Sequence, residues 1–220
     1  LATAEGWRIR IEGRGTWCPT DAPAALGLTT AALDQVLHVA PEDLVATVQA
    51  GISCGALARA LEPHGVWLPI DPPGRPERSL GSVLATGTSG ALRHGCGPVR
   101  DTLLGCTVVT GDGRVVRAGG SVVKNVAGYD LMKLQAGGFG AFGILTEVHL
   151  RLRALPAEDR TFTLRGARDP LTRAARDLTA GALDAAAIEL HSPAVAAEAD
   201  WVLAVRLLGT ADGVAAEAGR

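Results

Sequence analysis

The sequence has no surplus of charge of either sign: 21 Lys and Arg stand against 23 Asp and Glu, a net charge of −2. Nothing basic therefore points to nucleic acid. No apolar run approaches the roughly 20 residues that a membrane span needs. The opening residues, Leu1-Ala2-Thr3-Ala4-Glu5, lack a basic flank and an apolar stretch, so they do not read as a secretory signal. The four cysteines, Cys18, Cys54, Cys96 and Cys106, include no C-x-x-C pair. They read as reduced thiols of a cytosolic protein, with a zinc or iron–sulfur site as the less favoured alternative. The five histidines, His38, His64, His94, His149 and His191, are scattered and form no H-E-x-x-H, so a metal site is not indicated. What is present is 47% apolar residues over a chain of 220, enough for one large domain or for one domain and part of another. The chain begins without Met and ends at Val214-Ala215-Ala216-Glu217, which reads as the first turn of a helix. Both ends are expected to be cut.

Glycine is the strongest compositional signal. The 28 glycines cluster at 13–15, 81–97, 111–120 and 137–143 without a fixed period, which excludes a repeat or collagen. Glycines grouped between apolar runs imply tight turns or backbone that approaches something closely. Between the clusters, Trp7 to Ile11 and Val45 to Ala50 read as strands. Ser53 is a candidate N-cap for a helix that carries Leu57, Ala60 and Leu61 on one face and ends near Gly65. Leu103 to Thr110 and Val115 to Arg117 flank Gly111-Asp112-Gly113 as a hairpin. Ile144 to Leu152 alternates as a strand if one slip is allowed at Thr146.

The character of the sequence changes near Pro156. Thr161 to Leu164 reads as a strand, Asp169-Pro170 as the cap of a helix through Leu178, and Gly181 as its stop. Ala186 to Leu190 and Trp201 to Leu207 read as further strands. Strand–helix–strand–strand–helix is most of a ferredoxin-like unit. The chain is therefore expected to divide into residues 1–155 and 156–220.

The first strand runs into Gly13-Arg14-Gly15-Thr16-Trp17. Glycines two apart followed by a hydroxyl leave backbone N–H groups open in a concave turn, which suits the oxygens of a pyrophosphate. Alone, the motif is weak and is better read as an ordinary glycine turn. It is not a Rossmann fingerprint, because no third glycine follows and Pro19 and Pro23 prevent a helix there. From Gly81 to Gly90 small residues would let a flat ligand lie against backbone, with Ser82, Thr86 and Ser89 as hydrogen-bonding groups. Leu80, Val83, Leu84 and Leu92 argue against a flexible linker. Arg100 and Asp101 are better read as a structural charge pair than as catalytic groups. The tryptophans Trp7, Trp67 and Trp201 read as core or pocket-wall residues.

With the downstream runs Val123-Lys124-Asn125-Val126-Ala127-Gly128-Tyr129-Asp130-Leu131 and Leu134-Gln135-Ala136-Gly137-Gly138-Phe139-Gly140-Ala141-Phe142-Gly143-Ile144-Leu145-Thr146-Glu147, these segments resemble the FAD-binding (PCMH-type) domain of the FAD-linked oxidases, the vanillyl-alcohol-oxidase type. Within that family, the run K-N-V-A-G-Y-D-L is most similar to the FAD-binding E subunits of bacterial glycolate oxidases. The likeness covers roughly residues 7–153, with four motifs in the family's order. It implies an α+β fold, a two-subdomain FAD-binding domain followed by part of a ferredoxin-like α+β domain that begins the substrate or cap domain.

The resemblance also implies roles. Gly13, Arg14, Gly15, Thr16 and Trp17 match the family's pyrophosphate loop, so Trp17 would adjoin the cofactor. Arg14 stands where glycine is common; it would either add a cation near the phosphates or point to solvent. Pro72, Gly81, Ser82, Thr86, Ser89 and Gly90 match the stretch along the ribityl chain and flavin. Gly143 and Ile144 match the backbone at the nucleotide end. Lys124, Asn125, Tyr129 and Asp130 are diagnostic of the family and better read as structural than redox-active. No histidine lies in the pyrophosphate loop, so FAD is expected to bind noncovalently. His94, nearest the glycine stretch, reads as a surface or supporting residue.

The function implied is that of an FAD-dependent dehydrogenase subunit acting on a small 2-hydroxy acid such as glycolate, with the catalytic groups beyond reach of this sequence. The alternative is a non-catalytic flavin-binding assembly or electron-relay subunit. An enolpyruvyl-sugar reductase shares the fold but fits K-N-V-A-G-Y-D-L poorly. The resemblance further implies a hetero-oligomer with a second FAD subunit and an iron–sulfur subunit, since clusters that drain this flavin would sit on another chain. Such a complex would be cytoplasmic, at most peripheral to the inner membrane through its partners.

Overall fold

The computed structural model describes residues 2–17, 23–120 and 131–219. The chain forms two compact units, Leu1–Ser89 with Pro98–Leu155 and Gly90–Gly97 with Pro156–Arg220. The segment Gly90–Gly97 thus belongs with the residues after Pro156 rather than with its neighbours in sequence.

In the first unit, strand β1 (Ile9–Glu12) pairs in parallel with β2 (Leu26–Thr29). A separate five-stranded antiparallel sheet contains β3 (Val36–Ala40), β4 (Val45–Gln49), β6 (Leu103–Val109), β7 (Val115–Gly119) and β8 (Ile144–Arg151). Its order is β3-β4-β8-β6-β7. The short strands β5 (Val66–Trp67) and β9 (Arg153–Ala154) pair with each other. The sheet supplies much of the core: Val45, Ala46 and Val48 of β4 and Leu145, Val148 and Leu150 of β8 are buried, and β6 is buried on consecutive residues from Leu103 to Val108, as a strand covered on both faces is. The slip at Thr146 is a bulge. Thr107 faces Glu147 and Val108 faces Leu145, so Thr146 has no opposite number, and its hydroxyl instead donates to the Thr107 carbonyl at 3.1 Å.

Two helices close the core over this sheet. Helix α1 (Cys54–Leu61) is capped by Ser53, whose Oγ accepts from the Ala56 N–H at 3.1 Å. Its one-sided apolar pattern places Leu57 and Leu61 in the core, and a 3-10 turn carries the chain to Gly65. Helix α2 (Leu80–Thr86) is the element the glycine-rich composition concealed. Ser79 caps it, and Leu80, Val83 and Leu84 are fully buried. The backbone entering α2 is bonded to the start of α1 and the segment before it: Cys54 N–H donates to the Arg78 carbonyl, Leu80 N–H to that of Ile52, and Gly81 N–H to that of Ala50. That ladder, not helix propensity, fixes where α2 begins.

The second unit contains α3 (Arg93–Cys96), β10 (Glu158–Gly166), α4 (Arg168–Ala180), β11 (Ala187–His191), α5 (Pro193–Ala196), β12 (Trp201–Gly209) and α6 (Ala211–Ala218). Strand β12 lies between β10 and β11, antiparallel to both. First, third and second is the order these strands take in a ferredoxin-like unit. Leu171 of α4 and Val214 of α6 join Leu203, Val205 and Leu207 in its core. One local expectation shifts. Helix α4 begins before Asp169, with Ala167 at the N-cap and no side-chain bond there, so Asp169 sits in the first turn, where its charge favours the helix dipole. Gly181 is the stop, its N–H donating to the Asp177 carbonyl.

Candidate functional site

Strand β1 ends at Glu12, and the chain turns at once through Gly13-Arg14-Gly15-Thr16-Trp17. This loop forms one wall of a cleft of about 250 Å³. Gly81, Ser82, Ala85 and Thr86 of α2 form another wall, and Gln135, Phe139, Gly140, Gly143 and Ile144 a third. The volume lies just below the roughly 300–1,000 Å³ range of small-molecule sites. The structure thus gathers ten of the expected cofactor residues: Gly13, Arg14, Gly15, Thr16, Trp17, Gly81, Ser82, Thr86, Gly143 and Ile144.

The loop is held from behind and open in front. The Thr30 N–H donates to the Glu12 carbonyl at 2.9 Å, and the Thr29 hydroxyl to the Gly13 carbonyl at 2.8 Å. Gly15 has φ +65°, and a Cβ on it would meet nothing within 4 Å. Among the described residues, no acceptor engages the N–H groups of Arg14, Gly15 or Thr16. Unused N–H groups around a left-handed glycine at a cleft wall are what an anionic oxygen needs, so these residues fit a phosphate-bearing cofactor.

The Arg14 cation is not offered to that anion. Its Nε donates to the Gly51 carbonyl at 2.9 Å, and its Nη2 pairs with Asp34 at 3.1 Å. Arg14 therefore fastens the loop to the segments behind it. At the cleft, Arg10 and Glu12 form a second ion pair.

Thr86 lines the cleft, but its hydroxyl is engaged by protein. It donates to the Ser82 carbonyl at 2.7 Å and accepts from Arg78 Nη2 at 2.8 Å. Pro72 and Ser89 do not line the cleft; the Ser89 Oγ instead accepts from the Val99 N–H at 3.2 Å. Gly90 belongs to the second unit. Arg100, Asp101 and His94 are exposed. Lys124, Asn125, Tyr129, Asp130 and Cys18 lie outside the described residues.

Three residues at the site were given no role from the sequence. Arg78 is 1% exposed and stacks on Trp17, with its guanidinium carbon 3.8 Å from the ring centroid. In the run Pro73-Gly74-Arg75-Pro76-Glu77-Arg78 it looks like a surface residue of a polar turn. Phe139 has φ +50°, uncommon for a non-glycine residue, and its N–H is tied to the Ala85 carbonyl at 2.8 Å. Gln135 gave no signal beyond its place in the downstream glycine run. Burial raises the thiol of Cys106 to about 11. Burial also raises Cys54, partly offset by the Arg78 charge. No helix among the described residues is long and apolar enough to cross a membrane.

Residues 1–119 match the FAD binding domain family. The chain is 39% identical over 131 residues to the Escherichia coli glycolate oxidase subunit GlcE, covering 59% of this chain and 37% of that one. It is 35% identical over 147 residues to the Bacillus subtilis glycolate oxidase subunit GlcD, covering 67% of this chain and 31% of that one. It is 38% identical over 122 residues to the mitochondrial D-lactate dehydrogenase [cytochrome] of Arabidopsis thaliana, covering 56% and 21%. The chain thus spans about a third of the length of the two glycolate oxidase relatives. A solved alkyldihydroxyacetonephosphate synthase shares the fold, with a TM-score of 0.83 at 19% identity over 99% of this chain and 46% of that one. On the family match, with a cleft whose open N–H groups suit a pyrophosphate, the chain belongs to the FAD binding domain family, and FAD is its cofactor.

Proposed function

We propose that this chain is the flavin-holding part of a 2-hydroxy-acid dehydrogenase of the glycolate oxidase kind, with the FAD pyrophosphate on residues 13–17. The observation that carries the placement is the loop with open N–H groups and a left-handed Gly15, set against α2 across one cleft. FAD, when bound, supplies a hydride acceptor for the carbon that bears the substrate hydroxyl. The chain's own residues bind and orient. The loop holds the phosphates through backbone N–H groups, the small residues Gly81, Ser82 and Ala85 admit the ribityl chain and flavin, and Gly143 and Ile144 meet the nucleotide end. The contacts in this reading are all noncovalent.

The reaction class rests on the relatives, which are named as glycolate oxidase subunits and D-lactate dehydrogenases. The word subunit in the first two names supports assembly with other chains, and we extend it to a second flavoprotein and an iron–sulfur subunit that removes the electrons. The deciding experiment is anaerobic addition of glycolate and D-lactate to the purified, flavin-loaded full chain. Bleaching of the visible flavin band is expected with at least one of them. Bound flavin unresponsive to both would reduce the chain to a flavin-binding assembly subunit. Acid precipitation should leave the flavin in the supernatant, and colour in the pellet would contradict noncovalent binding. Co-purification from the native cell should bring down chains with cluster absorbance; an iron-free homomer that turns over a 2-hydroxy acid would exclude the proposed partners.

A further inference from the structure

We propose that Arg78 is a positioning residue for the cofactor loop, a buried clamp that holds Trp17 and thereby sets residues 13–17 in their binding shape before FAD arrives. The inference rests on the placement of the pyrophosphate proposed above. It concerns a residue that touches the loop, not the cofactor.

Arg78 lies just before α2 and is 1% exposed. A guanidinium presents a planar fork of five donors and two broad faces. Here the edge and a face serve different segments. Nη1 donates to the Pro73 carbonyl at 3.0 Å. Nη2 donates to the hydroxyls of Thr86, at 2.8 Å, and Thr88, at 2.9 Å, which fixes the group to the far end of α2. One face lies against the ring of Trp17, 3.8 Å from its centroid. Gly74 makes room for that ring, since a Cβ there would come within 3.2 Å of the indole Cε3. Trp17 itself is 40% exposed, so its setting depends on these neighbours rather than on deep burial.

The arrangement matters because of where Trp17 sits in the chain. It closes the loop whose other end is pinned by Gly13, packed against Ser79 at the start of α2. The loop is thus fastened to one helix at both ends, by a glycine contact at the start and by the arginine–indole stack at the finish. Between these points lie the open N–H groups of Arg14, Gly15 and Thr16. A loop already fixed in its bound shape spares the ordering cost that binding otherwise incurs. Release of the Trp17 end would leave the donors present but unaimed, so the loss would fall on cofactor affinity more than on the fold.

The test is a double-mutant cycle on the full chain, read as the FAD dissociation constant and, separately, as the thermal midpoint of the flavin-free protein. Trp17→Leu should weaken FAD roughly tenfold, the scale of a desolvated cation–π contact, with little change in the flavin-free midpoint. Trp17→Phe, which keeps a ring for the guanidinium, should restore most of the affinity. In an Arg78→Met background, Trp17→Leu should cost almost nothing further. If Arg78→Met fails to fold, Arg78→Lys replaces it in the cycle, since lysine retains the buried charge without the planar face. Additive losses would overturn the clamp and mean that Trp17 acts on the cofactor directly; wild-type affinity in Trp17→Leu would overturn it outright. Gly15→Val is the control for the underlying placement. If that variant keeps FAD, the loop assignment itself has failed; if it loses FAD while the Trp17 variants bind normally, only the clamp has.

Discussion

A Cβ placed on Gly13 would come within 2.0 Å of the Oγ of Ser79. Ser79 is fully buried and caps α2, so the absence of a side chain at position 13 is what lets the cofactor loop reach the helix. Gly13→Ala should force Ser79 off the Ser82 N–H that it caps. The expected cost is about 1–3 kcal/mol, as for other overpacked sites, together with weaker FAD. Urea unfolding of the flavin-free protein checks the first part and flavin titration the second. Unchanged values of both would mean that the loop does not pack on α2 as described.

Gly15 is required for a different reason. Its φ of +65° is left-handed, and the position of its missing Cβ is open. Gly15→Val should therefore cost roughly 1–2 kcal/mol in backbone strain, leaving a folded protein. The branched side chain should also occupy the phosphate space, so the purified variant should be colourless. The ratio of visible to ultraviolet absorbance measures this, and a fully loaded yellow variant would refute the pyrophosphate assignment.

Cys106 offers a check on the core. It sits in β6 at 2% exposure, and burial lifts its thiol from the ordinary 9.0 to about 11. The neutral thiol is favoured in the folded state, so its contribution is fully present below pH 9.0 and is lost as pH rises from 9.0 to about 11. Native alkylation below pH 9.0 should spare Cys106 and modify it only on unfolding. Stability should fall more steeply across that pH interval in the wild type than in Cys106→Ala. Equal slopes would show that the thiol does not titrate between the two states.

The strands and the first helix were legible because their causes are local. Ser53 announces a cap three residues before the Ala56 N–H it accepts from, and the slip at Thr146 reads as a broken alternation that the structure shows to be a bulge. Helix α2 was not legible, because Gly81 and the small residues after it argue against a helix, and the force that places it is backbone pairing with Ala50 and Ile52, distant in sequence. The pyrophosphate loop could be read from its glycines, but its fastening could not. Arg14 and Arg78 look alike in sequence as cations near glycine, yet Arg14 ends on Asp34 and Arg78 on Trp17. The attachment of Gly90–Gly97 to the second unit rests on long-range bonds such as the Gly95 N–H to the Ala186 carbonyl, which no local pattern encodes.

Thr86 separates a residue that lines the site from one that binds in it. Read from sequence alone, Thr86→Val would remove one hydrogen bond to the cofactor and weaken FAD modestly. In the structure the hydroxyl proton is committed to the Ser82 carbonyl and the oxygen accepts from Arg78. Valine would therefore leave a buried guanidinium N–H without that acceptor, a loss of roughly 1–3 kcal/mol in folding stability. FAD affinity should drop only so far as the Arg78 clamp loosens. Thr86→Ser, which keeps the hydroxyl and sheds a methyl group, should retain both stability and affinity. Thermal melts of the flavin-free variants and flavin titrations distinguish the cases. A Thr86→Val protein with wild-type stability and sharply weaker FAD would restore the direct contact and remove Thr86 from the network that holds Arg78.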